Sequence, residues 1–330
     1  MKPAFSVCAR MLIGLGILIS FSFCGRETRR VIGVVPKSQA HIFWMAVHAG
    51  TLAAANESGF EIFWNAPATE TDYARQVAIL DDMINRQVEA VLLAPSDREA
   101  LVPAIERVSA AGIPLTIFDS GANTEDYVSF VATDNYRGGV LGARRMAEIL
   151  EGKGRVAMIG VTAGSASTLE RENGFRETLA REFPDPELVA FQYGMSDRAR
   201  SLAVAADILT AHPDLDGIFA SNESGTIGAA QAVKSRGVAG KLKVIGFDTS
   251  PSLEEDLRTG VIDSLVLQDP FNMGYHAFMT LVDSLEGGRP PRRIDMTPTL
   301  ATRENLEEPR IRALLDPGAQ IDRRRGNQRR

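Results

Sequence analysis

Cysteine is scarce in this 330-residue chain, which contains two, Cys8 and Cys24. Cys8 lies in the apolar N-terminal segment that we interpret below as an export signal, so the mature protein would have no intramolecular disulfide. A chain of this length can bury a large core without disulfides or a structural metal. The length suits two domains better than one.

An excess of positive charge is also absent. The formal net charge is −6, which argues against a general nucleic-acid binder, because such proteins neutralise phosphates with many lysines and arginines. Hydrophobic residues make up 45% of the chain and charged residues 24%, proportions that are typical of globular proteins.

Motifs of common catalytic and nucleotide-binding sites are missing from the sequence. No Gly-x-Gly-x-x-Gly follows the first predicted strand, and neither a Gly-Lys-Ser/Thr loop nor a Gly-x-Ser-x-Gly elbow occurs. The four histidines do not have the spacing of a metal site. We therefore predict no cofactor, no metal and no enzymatic activity; an acid–base pair of Asp119 and Asp248 is the enzymatic alternative.

Short apolar runs are the strongest positive signal in the chain. They are Val31–Val35, Val91–Ala94, Leu115–Phe118, Val156–Ile159, Gly217–Ala220 and Val244–Phe247. Such runs are typical of strands buried on both faces, and their alternation with helix-like stretches predicts parallel sheets covered by helices. Ligands bind at the carboxyl ends of such strands. Asp119, Asn222 and Asp248, which follow three of the runs, are therefore candidate ligand contacts.

The strand–helix scheme occurs twice along the chain, in residues 31–151 and again in residues 155–286. Within the first half, one helix is predicted near 70–86. Two similar α/β halves in tandem indicate duplication, with a cleft where strand ends face each other. The basic stretch 316–330 is predicted to be a disordered, solvated tail, with a binding role as the alternative.

Residues 1–24 have the pattern of an export signal. Lys2 and Arg10 precede the apolar stretch Met11–Phe23, which is shorter than the ~20 residues of a comfortable membrane span. An uncleaved anchor helix is the alternative. Cys24 follows the apolar stretch directly and resembles the lipid-modified cysteine of bacterial lipoproteins, although the three residues before it fit the lipobox poorly. Lipidation of Cys24 is therefore a hypothesis.

Eight short motifs occur in a characteristic order. They are Phe43-Trp44, Ala94-Pro95-Ser96-Asp97, Phe118-Asp119, Ala132-Thr133-Asp134-Asn135, Glu170-Arg171-Glu172-Asn173-Gly174-Phe175, Phe219-Ala220-Ser221-Asn222-Glu223, Gly246-Phe247-Asp248 and Gln268-Asp269-Pro270. Through them the chain resembles, from Val31 to about Leu315, the periplasmic sugar-binding proteins of the ribose/galactose type. These proteins share the type 1 periplasmic binding protein fold with lac-repressor-like ligand-binding cores.

The resemblance implies an α/β fold of two similar, doubly wound parallel-sheet lobes, with the ligand in the cleft between them. The implied N-terminal lobe comprises residues 31–133 and 269–297, and the implied C-terminal lobe comprises residues 134–268 and 298–315. Three hinge crossings would then join the lobes, near Thr133-Asp134, Gln268-Asp269 and Thr297-Pro298.

The function implied by the resemblance is extracytoplasmic capture of a sugar or sugar-like ligand by hinge closure. The chain would be periplasmic or a membrane-anchored lipoprotein, and its partner would be the membrane permease of an ABC importer. An exported sensor subunit that presents its ligand to a membrane receptor is the alternative. A lac-repressor-like regulator would carry a helix-turn-helix before Val31, where this chain has the apolar segment.

Sugars bind to aromatic faces and to planar polar groups that fix the directions of hydroxyls. Phe43 and Trp44 match the family's paired aromatics and are assigned the stacking role, with a purely structural core role as the alternative. Asp119 and Asp248 are each predicted to accept from adjacent hydroxyls. Their alternative role is helix capping, which aspartate favours.

Three further residues match polar positions of the family. The guanidinium of Arg171 has five donors that suit sugar oxygens, and its alternative is a surface salt bridge with Glu170 or Glu172. Asn222 offers a donor and an acceptor at a strand end. Gln268 matches the glutamine close to the hinge.

Four positions depart from the ribose pattern. His41 stands where the ribose type has Asn; we predict that it binds ligand, with a surface-loop position as the alternative. Ser120 replaces an Arg, and Ser196 replaces an aromatic residue, which predicts a wall that is more open or tuned to a larger or more polar ligand. Glu223 replaces the usual Asp and is a candidate helix cap. Asp97, in contrast, is predicted to cap a helix and not to touch the ligand.

Overall fold

The computed structural model describes residues 30–39 and 41–316, which form two α/β lobes, each built on a six-stranded sheet. The predicted export signal with Cys24, and the predicted tail beyond Asp316, lie outside the described residues. In the described part of the chain, no helix has both the length and the apolar character needed to cross a membrane.

The described residues form twelve strands and ten helices, which alternate except where two strands follow each other directly, within 115–133 and within 293–302. The strands are β1 (Val31–Val35), β2 (Glu61–Trp64), β3 (Ala90–Leu93), β4 (Leu115–Phe118), β5 (Phe130–Thr133), β6 (Arg155–Gly160), β7 (Glu187–Tyr193), β8 (Gly217–Ala220), β9 (Lys243–Phe247), β10 (Ser264–Leu267), β11 (Arg293–Met296) and β12 (Thr299–Thr302). The helices are α1 (Ile42–Ser58), α2 (Tyr73–Arg86), α3 (Val102–Ala110), α4 (Asn135–Ile149), α5 (Ala166–Glu182), α6 (Arg198–Ala211), α7 (Glu223–Ser235), α8 (Pro251–Thr259), α9 (Pro270–Leu285) and α10 (Pro309–Leu315). The sequence patterns did not predict β11, β12 and α10.

The two sheets have equivalent topologies. The first has the strand order β11-β5-β4-β3-β1-β2 and is parallel throughout. The second has the order β12-β10-β9-β8-β6-β7 and is parallel except for β12, which pairs antiparallel to β10. Each lobe thus has the 2-1-3-4-5 order of doubly wound α/β folds, with one further strand at an edge.

Each sheet is buried on both faces, because successive side chains of a strand point to opposite sides. In β1, Ile32 and Val34 pack under α1 and α9, whereas Val35 packs under α2 and α3. In β6, Val156 contributes to the core under α4 and α5, and Ile159 contributes to the core under α6, α7 and α8. The uninterrupted apolar runs of the sequence therefore have a direct structural cause.

The chain passes between the sheets three times: after β5, after β10 and between β11 and β12. An aspartate caps the helix that follows each of the first two passages. The side chain of Asp134 accepts from the backbone N–H of Arg137, and that of Asp269 accepts from Asn272. These caps fix where α4 and α9 begin, directly beside the cleft.

Glycines allow the closest helix contact in each lobe. A Cβ on Gly139 of α4 would lie 2.0 Å from the carbonyl oxygen of Arg171 on α5, and a Cβ on Gly174 of α5 would lie 2.1 Å from that of Tyr136. In the first lobe, a Cβ on Gly50 of α1 would lie 1.9 Å from the Phe271 carbonyl. Only glycine permits these backbone approaches, and the α4–α5 contact positions Arg171.

Gly139→Ala is expected to lower the free energy of unfolding by about 1–3 kcal/mol, because the added methyl forces α5 away from α4. Urea unfolding would measure this as a lower midpoint at unchanged slope. Gly121→Ala is the matched control, since its added Cβ would have neighbours no closer than 3.9 Å. Equal midpoints for the two variants would show that the helix contact tolerates a methyl group.

Candidate ligand-binding site

A cavity lies between the lobes, where the strand ends of the two sheets face each other. All eight residues predicted to bind ligand line it: His41, Phe43, Trp44, Asp119, Arg171, Asn222, Asp248 and Gln268. Lining residues that were not predicted to bind are Lys37, Glu70, Ser167, Thr168 and Glu223. The cavity volume is about 30 Å³, room for about two water molecules, because side chains from the two lobes meet across it.

The aromatic wall comes from the start of α1. Trp44 is 2% exposed and packs with its edge against Phe118, with ring centroids 6.1 Å apart. Phe43 lies edge-on to Trp44 at 4.9 Å. The indole N–H of Trp44 donates to Oε1 of Glu70 at 2.9 Å. Trp44 therefore belongs both to the core of the first lobe and to the cavity wall, and its polar edge is fixed by Glu70.

Lys37 and Asp119 form a buried ion pair on the first lobe. Lys37 Nζ lies 3.0 Å from Asp119 Oδ2, and both side chains are about 95% buried. Nζ also donates across the cleft to Ser167 Oγ at 3.0 Å. Asp119 has φ +61°, a left-handed conformation that aspartate adopts more readily than most residues. The Asp119 carboxylate therefore pairs with Lys37 and does not cap a helix.

Arg171 is buried at 3% exposure, so the surface salt bridge with Glu170 or Glu172 is not its environment. Its Nε donates to Asn135 Oδ1 at 2.8 Å, and Nη1 donates to the carbonyl of Ser221 at 2.9 Å.

The Arg171 guanidinium lies 3.9 Å above the ring of Phe247, and Nη1 is 4.0 Å from Asp248 Oδ2. Its contacts thus connect α5 to the ends of β8 and β9.

Asp248 stands at the end of β9 with φ +70°. Its Oδ1 accepts from Gln268 Nε2 at 2.6 Å, and its Oδ2 accepts from the backbone N–H of Glu223 at 3.1 Å. Asp248 therefore binds the first turn of α7 rather than capping the helix that follows it. Burial raises the pKa of Asp248, and Arg171 and Gln268 oppose that rise only in part.

His41 is buried between acidic residues of the two lobes and is not a surface-loop residue. Nε2 lies 3.8 Å from Glu70 Oε1 and 3.3 Å from Ser196 Oγ, and Nδ1 lies 3.5 Å from Glu223 Oε2. Burial acts to lower the pKa of His41, but its interactions with Glu223, Glu70 and Asp248 outweigh burial. The pKa is therefore raised above the ordinary value of 6.5.

Glu70 reaches the cleft from the loop before α2. Burial acts to raise the pKa of Glu70, but His41, Lys37 and the hydrogen bonds from Trp44 and Ser196 outweigh it, so the pKa is lowered. Ser196 Oγ donates to Glu70 Oε2 at 2.8 Å across the cleft. This arrangement favours the carboxylate form of Glu70 and the imidazolium form of His41.

Ser196 is not itself a lining residue of the cavity, but its Oγ contacts His41, Glu70 and Asn222, which are. A wall that is more open, or tuned to a larger or more polar ligand, stays a prediction. Asn222 Nδ2 donates to Ser196 Oγ at 2.9 Å, while Asn222 Oδ1 caps α7 by accepting from Gly225. Glu223 is not the cap: its Oε1 accepts from Arg198 at 2.7 Å, and Oε2 faces His41. Asp97 lies outside the cavity lining, but the prediction that it caps a helix is wrong: its Oδ1 accepts from the backbone N–H of Glu99 and Ala100 in the turn before α3, whose N-cap position is Leu101.

Other clusters within 30–39 and 41–316 do not suggest metal chemistry, since no group of three His, Cys, Asp or Glu side chains there could hold a metal ion. Glu172, which follows Arg171 in the chain, is a buried carboxyl outside the cavity lining. Burial raises its pKa to about 7. Its Oε1 accepts from Val161 N–H and from Ser221 Oγ. Glu172 therefore supports the strand ends from behind the cavity.

Comparison with protein families agrees with this geometry. Residues 32–289 match the family model described as "Periplasmic binding protein domain". Because the match covers well over half of the 330 residues, the chain belongs to this family. Its members are extracytoplasmic ligand carriers, which confirms the predictions that the chain is a binding protein and not an enzyme.

Individual relatives are similar over most of their length. The D-allose-binding periplasmic protein of Escherichia coli is 30% identical over 289 residues, which cover 84% of this chain and 90% of that protein. The D-ribose/D-allose-binding protein of Pseudomonas aeruginosa is 29% identical over 272 residues, covering 80% of this chain and 85% of that protein.

A solved structure, an ABC transporter solute-binding protein of Agrobacterium vitis with bound D-fucose, superposes with a TM-score of 0.84 at 34% identity. The superposition covers 86% of this chain and 99% of that one. The predicted resemblance and the two-lobed fold are thereby confirmed.

Proposed function

We propose that this protein captures a sugar or sugar-like ligand outside the cytoplasm and delivers it to the membrane permease of an ABC importer. One observation carries the proposal. The cavity between the lobes combines an aromatic wall, Phe43 and Trp44, with buried carboxylate, amide and guanidinium groups from both lobes. Such a set suits a ligand with apolar C–H faces and many hydroxyls. The names of the relatives support the same ligand class and the import role.

The residues of the site are expected to have different roles toward the ligand. Phe43 and Trp44 stack on the sugar ring. Asp119, Asp248, Asn222, Gln268 and Arg171 bind its hydroxyls and ring oxygen, with the carboxylates accepting and the guanidinium donating. His41, which lies on the first lobe and faces Asn222 on the second, contributes one further hydrogen bond to the ligand.

Ligand entry requires the lobes to separate, because a cavity of about 30 Å³ is too small for a sugar ring. The moving bodies we propose are residues 31–133 with 269–297 and residues 134–268 with 298–315. They meet through bonds such as Ser167 N–H to Ser120 Oγ, 3.1 Å, and Arg98 N–H to the Gly164 carbonyl, 2.9 Å. A ligand that bridges the lobes would replace part of these contacts.

The sensor alternative has less support, since the solved relative is described as an ABC transporter solute-binding protein. Co-purification with an ABC permease would favour import, and co-purification with a histidine kinase would favour sensing.

Anchoring through a lipid on Cys24 remains part of the proposal for the N-terminus. Mass spectrometry of the mature N-terminus would detect a diacylated Cys24, and an unmodified start elsewhere would exclude the anchor.

The ligand class is tested by thermal shift with D-allose, D-ribose, D-fucose, other pentoses and hexoses, and polyols. A ligand that binds only the folded protein raises the melting temperature. No shift with any of these compounds would contradict the proposal.

Trp44→Ala and Asp248→Ala are each expected to weaken binding of the sugar identified in that screen by about 1–3 kcal/mol, through loss of a stacking face or a buried acceptor. Calorimetry would measure the change. Trp64→Ala and Asp126→Ala, which alter residues outside the cavity lining, are the matched controls. Unchanged affinity in both site variants would contradict the site assignment.

A further inference from the structure

Two buried polar atoms face each other across the cleft without a hydrogen-bond partner among the described residues. They are Nδ1 of His41, on the first lobe, and Oε2 of Glu223, on the second. Both residues line the cavity. The two atoms attract each other as an ion pair, but buried polar atoms without a hydrogen bond are rare in native structures, so their position points to a group supplied from the cavity.

The distance between these atoms defines that group. Nδ1 and Oε2 are 3.5 Å apart, which is long for a direct hydrogen bond, but one oxygen atom can lie about 2.8 Å from both. An imidazolium Nδ1–H needs an acceptor, and a carboxylate Oε2 needs a donor. A hydroxyl satisfies both at once, whereas a carbonyl cannot donate to the carboxylate and an ammonium group cannot accept from the imidazolium.

The other atoms of the two side chains are already committed. Glu223 Oε1 accepts from Arg198 at 2.7 Å. His41 Nε2 faces Glu70 Oε1 and Ser196 Oγ. These contacts orient the free atoms of both side chains toward each other, so each rotamer is set before a ligand arrives.

We propose that Glu223 is a specificity-determining residue that, together with His41, holds one ligand hydroxyl across the cleft. The proposal rests on the sugar-binding function proposed above and deepens it. The ligand must carry, at this end of the cavity, a hydroxyl that accepts from His41 and donates to Glu223. Analogues that lack this hydroxyl, or that cannot donate from it, bind more weakly.

Proton uptake on binding follows from the same geometry. Three carboxylates and one helix end surround His41. Glu70 comes from the β2–α2 loop and interacts with Lys37. Glu223 of α7 pairs with Arg198, Asp248 at the end of β9 pairs with Arg171, and the helix end is the N-terminus of α1. The α1 terminus opposes a positive charge. Opening the cleft removes Glu223 and Asp248 from His41 and leaves Glu70.

The pH dependence has a defined sign. Closure buries His41, which acts to lower its pKa, and adds the carboxylates of Glu223 and Asp248 from the second lobe, which act to raise it; in the closed form the carboxylates outweigh burial and the pKa is raised. The gain in affinity is therefore fully present below the open-form pKa, and it is lost as the pH rises through the raised pKa of the closed form, above the ordinary 6.5.

The hydroxyl is tested with the tightest-binding of D-allose, D-ribose and D-fucose and with its monodeoxy and monofluoro analogues, by calorimetry. In the wild type, one position is expected to lose affinity roughly tenfold to a hundredfold on deoxygenation, as for hydrogen bonds to charged groups. Glu223→Gln keeps the shape and an acceptor for Arg198 but turns the free oxygen into a donor. In this variant the loss at that one position should shrink to about twofold or less, as in a double-mutant cycle.

Proton linkage is the second readout, measured as the dependence of the binding enthalpy on buffer ionisation near pH 7. Wild-type protein is expected to take up protons. His41→Asn retains a donor near Nδ1 but cannot titrate, so it should bind without uptake. Glu106→Gln and His212→Asn, which lie outside the cavity lining, should behave as wild type.

The outcomes separate the two proposals. If none of the three sugars or the other compounds of the screen binds, the proposed function fails and this inference fails with it. If a sugar binds but every analogue loses the same affinity in wild type and in Glu223→Gln, only this inference is overturned. Release of protons on binding would overturn it as well, because the proposed hydrogen bond requires His41 to keep its proton in the complex.

Discussion

Arg171→Met is expected to lower the free energy of unfolding by about 3–5 kcal/mol, the range for removing one partner of a buried ion pair. The substitution would leave the carboxylate of Asp248 buried without its cation, and it would remove the donors to Asn135 Oδ1 and the Ser221 carbonyl. It would also remove the guanidinium from the face of Phe247. Urea unfolding followed by circular dichroism would measure the loss.

A matched control lies on the same helix. Arg176 is exposed, and its guanidinium donates to Asn173 at 2.7 Å on the surface. Arg176→Met is expected to change stability by no more than about 0.5 kcal/mol. If both variants unfolded at the same urea concentration, the buried network around Arg171 would contribute nothing beyond an ordinary surface arginine.

Sequence analysis placed residues in the cavity by two routes. Asp119, Asn222 and Asp248 were found from local pattern alone, because each follows an apolar strand and strand ends of a parallel sheet meet at one edge. The resemblance to the family supplied the other predicted residues, which are His41, Phe43, Trp44, Arg171 and Gln268. The roles of all eight toward a ligand remain predictions.

Glu70 illustrates what local pattern could not supply. The predicted helix over 70–86 would have placed it in a first helical turn, whereas Asp72 caps α2 and leaves Glu70 in the preceding loop. Asp72 was a readable N-cap signal, since aspartate before an apolar-periodic segment is typical of a helix start. No local signal shows, however, that the loop folds back toward Trp44 and Ser196.

Lys37 and Ser167 were missed for a different reason. Their role arises from contact between segments 130 residues apart, on opposite lobes. Because a lysine after a strand is usually a solvated surface residue, the sequence around Lys37 favoured an exposed side chain, whereas the structure buries it. Strands β11 and β12 were missed because both are short and partly polar, and pairing with β5 and β10 defines them.

Lys37→Met is the second substitution expected to cost about 3–5 kcal/mol of unfolding free energy. The lysine is 3% exposed, and methionine fills much of its volume while leaving Asp119 charged and buried without a cation. The hydrogen bonds to Ser165 and Ser167 across the cleft are lost as well. The urea midpoint of the variant reports the sum, with Lys241→Met, at an exposed position, as the control expected to unfold like the wild type.

A second substitution separates the buried charge from the lost hydrogen bonds. Asn at position 119 has no charge to strand and adopts the positive φ of that position readily, so Asp119→Asn in the Lys37→Met background should recover most of the lost stability. The recovery is expected because two neutral partners avoid the desolvation of an unpaired ion, whereas one removed partner does not. If the double variant were as unstable as Lys37→Met alone, the cross-cleft bonds to the serines, and not the stranded carboxylate, would account for the loss. Lys37 would then act mainly by holding the two lobes together.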